Sequence, residues 1–212
     1  MDNTTTVIAF ICSLIAISTA LPLSFSMALL RTKLISTHTN HAAVYESIKM
    51  KRFSNPDKVL PEQFINGMEP VKRNLNELEN ALVIDPELVY PMHYESLVIF
   101  REAFFQLAVK EQMIADYNEV VDMEMEQPAF HKEVVHVKKL IDESLKHLRR
   151  VMHQISIEVP PIEAPQIILP HEVDGRLCEG YCDLERHLYI HQQFNYFMQR
   201  AIHSIASIEE EV

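Results

Sequence analysis

The stretch from Cys182 to Ile208, CDLERHLYIHQQFNYFMQRAIHSIASI, constrains the fold more than any other part of the chain. It holds neither Gly nor Pro, so nothing in it interrupts a helix. Leu184, Leu188, Phe194, Phe197, Met198, Ala201, Ile202, Ile205 and Ile208 fall mostly three or four residues apart and share one side of that helix. His187, Gln192, Asn195, Gln199 and His203 fall mostly on the other side. A stripe this broad cannot bury itself, so other elements must cover it.

Three further runs have the same character. From Leu23 to Arg52, the residues Met27, Leu30, Leu34, Thr37, His41, Val44 and Ile48 trace a stripe at helical spacing. His38 and His41 lie near it. They read as histidines at a bundle seam rather than as metal ligands, because no other ligand type repeats at helical spacing nearby. Asp85-Pro86 reads as an N-cap followed by Pro at the first helical position. The helix it opens carries Leu97, Phe100, Phe104, Leu107, Ile114, Tyr117 and Val121, has Pro91 as an early kink or restart, and stops near Gln127 before Pro128. A third run, 129–157, carries Val134, Val137, Ile141, Leu145, Leu148, Met152 and Ile155. The four long helices are therefore expected at 23–52, 86–127, 129–157 and 182–209. A short helix from Val71 to Leu82 is expected between the first two.

The spacing of these runs predicts how they are threaded. Pro56, Pro61, Gly67 and Pro70 punctuate the stretch from Phe53 to Asp85. Pro160, Pro161, Pro165 and Pro170 keep the stretch before Cys178 out of a helix. At roughly 3.3 Å per extended residue, each connection is long enough to run back along a helix rising about 1.5 Å per residue. The joint at Pro128 is short, which makes its two helices antiparallel neighbours. The expectation is an all-α four-helix bundle with two long crossover connections, up-up-down-down. The three glycines in 212 residues argue against a fold rich in tight hairpins.

Residues Val7 to Ala20 are almost wholly apolar and end in small side chains, the form of a secretory signal peptide over 1–20 followed by one domain over 21–212. Asp2 is the one charged side chain before the run, and the uncharged stretch to Leu30 is long enough for a signal anchor, though Pro22 breaks it. An ordinary buried N-terminal helix is the third reading. After cleavage Cys12 is lost, leaving Cys178 and Cys182 either as a local disulfide, which Gly180 permits, or as two thiols. Their spacing is a weak zinc signal.

The formal net charge of −11 disfavours a nucleic-acid binder. The second helix is acidic in its latter half, with Glu111, Asp116, Glu119, Asp122, Glu124 and Glu126; the third is basic outside, with Lys138, Lys139, Lys146, Arg149 and Arg150. A solvated face, partly cross-paired, and an interaction surface are equally compatible with these charges. Glu133 to His136 is a single Glu-x-x-His, where a di-iron bundle needs two. No HExxH, GxSxG or Gly-rich phosphate loop occurs. Neither an enzyme, nor a cofactor, nor a metal is expected.

With the helices placed, the chain resembles the long-chain helical cytokines of the interleukin-6 type, in particular the branch of ciliary neurotrophic factor, cardiotrophin and cardiotrophin-like cytokine. The resemblance is carried by ALLRTKLISTHTNHAAVYESIKMKRF, FSNPDKVLPEQF, YESLVIFREAFFQLAVKEQ, FHKEVVHVKKLIDESLKHLRRVM and FNYFMQRAIHSI, each a pattern of hydrophobics with few identities. It implies a secreted, extracellular ligand that gathers cell-surface receptor chains of the gp130-like class, with a secreted co-receptor as a further partner, and triggers JAK–STAT signalling. It implies one receptor-binding patch on the last helix and the end of the first long connection. There Arg200 matches the family Arg, Phe197 stands where the family has Trp, and Tyr196, Gln199 and His203 ride the rim. A second patch would use Arg31 and Lys33 with Lys139, Lys146 and Arg149. The Phe-x-x-Lys of a third patch is absent; that region reads GYCDLERH. Two rival readings are a secreted helical carrier of a small apolar ligand, which predicts a closed cavity inside the bundle, and a signal-anchored helical membrane protein.

Overall fold

Among the described residues, periodicity and punctuation translate into five helices and one small ladder. In the computed structural model these are α1 (Leu23–Arg52), α2 (Glu69–Asn80), α3 (Pro86–Val120), α4 (His131–Gln154), β1 (Glu172–Val173), β2 (Arg176–Leu177) and α5 (Tyr181–Glu211). The structure describes residues 22–53, 67–81, 84–120, 129–162, 172–173, 176–177 and 181–211. The N-terminal segment, Cys178, the side chain of Cys182 and residues 121–128 lie outside the described part, and with them the expected signal peptide, the cysteine pairing and the end of the second long helix.

The described architecture is an all-helical bundle, with one two-residue antiparallel ladder, β1 on β2, in the stretch before α5. The ladder is consistent with the non-helical stretch expected there. α1 packs on α4 and α5, α3 packs on the same two, and α2 lies against α3 and α5. Contacts between α1 and α5 link Arg31 to Glu209, His38 to Asn195 and His41 to His191, so partner numbers fall as residue numbers rise. The same descent links α1 to α4, through Lys33 with Glu143 and Arg52 with the α3–α4 corner. It also links α3 to α5, through His93 with Ser204 and Phe104 with His191.

Helix ends follow local chemistry. Asp85 caps α3: its side-chain Oδ1 accepts the Glu87 N–H at 2.9 Å and its carbonyl accepts the Val89 N–H at 2.9 Å. Pro91 sits inside a continuous α3 rather than dividing it. α4 is shorter than the expected 129–157. It stops at Gln154 because Ser156 takes φ 60°, the Ile157 N–H reaches the Met152 carbonyl at 2.9 Å and the Ser156 N–H reaches His153. This is a Schellman ending with Ser in the left-handed position usually held by Gly, so no glycine announced it.

The core is built from the stripes. All seven residues of the expected α1 stripe are buried, as are Val134, Val137, Ile141, Leu145, Leu148 and Met152 of α4. Phe100, Phe104, Phe194 and Phe197 meet edge-on or tilted at the centre, with centroids 4.9–5.4 Å apart. Burial goes further than the stripes in two places. From Val89 to Phe100, α3 is covered nearly all round, because α2 lies over the side that a four-helix arrangement leaves open. From Arg186 to His191, α5 is also buried throughout, which places His187 inside rather than on the polar side expected of it.

α2 is held by one buried amide. Asn74 directs its Nδ2 group at the Met92 carbonyl (3.2 Å), Glu95 (2.9 Å) and Ser96 (3.2 Å) of α3. Replacing Asn74 with Ala removes these bonds and leaves a buried carbonyl short of a donor, an expected cost of about 1–3 kcal/mol. Thermal unfolding measures the loss, and faster hydrogen exchange confined to α2 would locate it.

Candidate functional site

The arrangement that unites the first long connection with the last helix lies where α2 reaches α5. Tyr196 and Arg200 are four residues apart on α5 and therefore share a face. The Tyr196 hydroxyl donates to Glu79 of α2, and Arg200 approaches the same carboxylate at 3.3 Å. The Arg200 guanidinium also lies 5.4 Å from the Tyr196 ring centroid and 3.2 Å from its hydroxyl. Both ends of the ion pair are well exposed, at 44% and 38%. Its contribution to stability is therefore small. Gln199 and His203 are exposed beside it, whereas Phe197 is wholly buried against Phe100 and His93. Four expected rim residues are thus on one surface, and the aromatic in the family-Trp position belongs to the core.

The second expected patch is only partly assembled. Arg31 is bound to Glu209 at 3.1 Å and Lys33 to Glu143 at 2.9 Å. The Lys33 hydrogen bond, followed by the charges of Lys33, Lys139 and Lys146, holds the Glu143 carboxyl below its ordinary range. Lys139 and Lys146 are exposed on α4. Arg149 hydrogen-bonds the Tyr94 hydroxyl and lies 5.5 Å from that ring's centroid, so it also ties α4 to α3. Lys146, Arg149, Arg150 and His153 line an open depression of about 410 Å³ with Gln154.

Sequence reasoning missed the polar interior. At the α1–α5 seam His41 is fully buried, with its Nε2 3.1 Å from Nδ1 of His191 and its ring edge-on to Phe104 and Phe194. His41 Nδ1 has no hydrogen-bond partner, so the tautomer that fits is His41 Nε2–H donating to His191. Burial lowers both rings' pKa values, that of His191 to about 3. Glu111, read only as one of the acids in the latter half of its helix, is buried. It forms a two-pronged ion pair with Arg52 at 2.6 and 2.7 Å and accepts the Phe130 N–H at 2.8 Å. An i,i+7 clue existed in neither case; the partners are 59 and 150 residues apart in the chain.

Among the described residues no group of three or more His, Cys, Asp or Glu is arranged to hold a metal ion, and no helix is long and apolar enough to cross a membrane. An apolar pocket of about 280 Å³ opens at one end of the bundle beside Leu23, Met27, Tyr90 and Ile157, rather than between the central phenylalanines. No protein-family model, curated protein or solved structure matches the chain.

Proposed function

We propose that the protein is a secreted, cytokine-like ligand that binds cell-surface receptor chains through the outer faces of its helices and triggers JAK–STAT-type signalling. The observation that carries this reading is the α2–α5 junction. Tyr196, Gln199, Arg200 and His203 stand on one surface, with Glu79 from the first connection laid against them. Arg beside a half-buried Tyr at the surface is the composition of a binding hot spot, and a carboxylate on its rim pre-orients the guanidinium. The basic side of α1 and α4, around Lys33 and Lys139, is the second contact in this reading.

The same reading takes the threading to be up-up-down-down. The descending contact pairs of α1 with α4 and α5, and of α3 with α5, support it, as does the length of the two connections. Phe100, Phe104, Phe194 and Phe197, in mutual contact at the centre, favour a ligand that works by its surface over a carrier of apolar molecules.

Arg200→Ala is expected to leave unfolding unchanged and to weaken receptor binding by about 1–3 kcal/mol, roughly 5- to 150-fold. Surface plasmon resonance against receptor ectodomains and STAT phosphorylation in cells bearing them are the measurements. Binding and phosphorylation identical to the unaltered protein would reject this face.

A further inference from the structure

The outer side of α4 carries more positive charge than its helix end requires. Arg149 and Arg150 each lie three or four residues from both Lys146 and His153, so the four form a single stripe about 10 Å long. From Ser144 to Ile157 the chain has no carboxylate. The two carboxylates just before, Asp142 and Glu143, are engaged by Lys138 and Lys33. Among the described residues none forms an ion pair with Lys146 or Arg150. Cations complement a helix dipole only in its last turn, and here that turn holds His153 alone. The dipole therefore does not account for Lys146, Arg149 or Arg150. In a chain of net charge −11, an acid-free cationic stripe lining an open depression is a local reversal of sign.

We propose that this stripe is a binding site for a sulfated polysaccharide. Arginine forks match sulfate oxygens two at a time, and a stripe spread along a helix fits a linear polyanion rather than a single anion. Single-stranded nucleic acid is read by aromatic side chains on which bases stack, and α4 carries no Phe, Tyr or Trp. Lys146 and Arg149, expected above at a receptor contact, belong to this depression with Arg150. The inference goes beyond the receptor reading and stands on the stripe itself; Arg200 takes no part in it.

The test uses the full chain and heparin as the probe, by affinity chromatography and titration calorimetry at about 0.15 M ionic strength. The unaltered protein is expected to bind. Lys146→Gln with Arg150→Gln should weaken binding on the order of tenfold and reduce the slope of log affinity against log salt by about two. Lys51→Gln with Lys132→Gln removes the same charge elsewhere and should leave binding nearly unchanged. No binding by the unaltered protein, or equal losses in both double variants, would overturn the proposal. So would a single-stranded oligonucleotide of matched charge that binds as tightly as heparin. Because heparin binding is read without receptors, a failure of Arg200→Ala to affect signalling would leave this result standing, and the reverse holds too.

Discussion

Replacing Glu111 with Gln is expected to cost roughly 3–5 kcal/mol of folding stability, the largest effect of any single substitution considered. The Arg52 and Glu111 side chains are 2% and 3% exposed. Their ion pair joins the end of α1 to α3, and the same carboxylate accepts the first N–H of the turn that opens α4. Glutamine keeps the size but removes the negative charge that meets the buried Arg52 guanidinium at 2.6 and 2.7 Å. The cost comes from disturbing a desolvated charge more than from the lost attraction, since a buried pair as a whole is worth little against apolar replacements. The double variant Arg52→Met with Glu111→Leu should therefore recover part of the loss, and not all of it, because the Phe130 N–H would lack an acceptor. Urea unfolding of the unaltered protein and the two variants decides the matter. A loss under about 1 kcal/mol for Glu111→Gln would show the pair to be solvated.

Acid is expected to loosen the bundle well before its carboxylates titrate. His93 and His191 are buried, and burial lowers each to about 3; for His191 the charges of His187 and Arg52 add to this. His41 is lowered in the same direction, first by burial, then by His191 and His38. In the unfolded chain these rings titrate near 6.5. Between 6.5 and about 3 the unfolded state thus binds more protons than the folded one, and stability falls as the pH falls through that window. At pH 5 the cost is roughly 2 kcal/mol each for His93 and His191. The geometry explains why nothing offsets it. His41 and His191 share a single N–H between them, so a second proton sets donor against donor. Tyr45 stacks on both rings and Phe104 and Phe194 close the seam, and the charged groups that act on His191 are His187 and Arg52, which oppose protonation. His93 already gives its one contact to the Ser204 hydroxyl at 2.6 Å. Unfolding free energies at pH 7.5 and pH 5.0 test this, and His191→Gln should flatten the difference. Equal stability at the two pH values would mean that the rings are hydrated in the folded state.

The candidate site was legible only in half. Arg200 beside Tyr196 could be singled out from composition and spacing on α5 alone. Glu79 could not, because its place depends on where α2 docks, and that is decided by Asn74 finding the Met92 carbonyl and Ser96 on another helix. On the basic side the charges were legible and their partners were not. Arg31 and Lys33 read as available cations until α5 and α4 bring Glu209 and Glu143 against them.

The sequence by itself determined where the long helices lie and which side of each turns inward. α1 begins and ends at the residues its pattern indicated, Leu23 and Arg52, and its stripe is buried throughout. Hydrophobic spacing and proline placement act within a few residues, so a local pattern is enough to report them. The tertiary structure alone decided which partners the buried polar groups would find. His41 lies on the α1 stripe, but its partner His191 does not show there, and Arg52 and Glu111, and Asn74 and Ser96, carry no mark in their own neighbourhoods. Each becomes tolerable inside only when a distant residue supplies the matching donor, acceptor or charge, because an unmatched polar group costs more in the interior than the surrounding apolar contacts return.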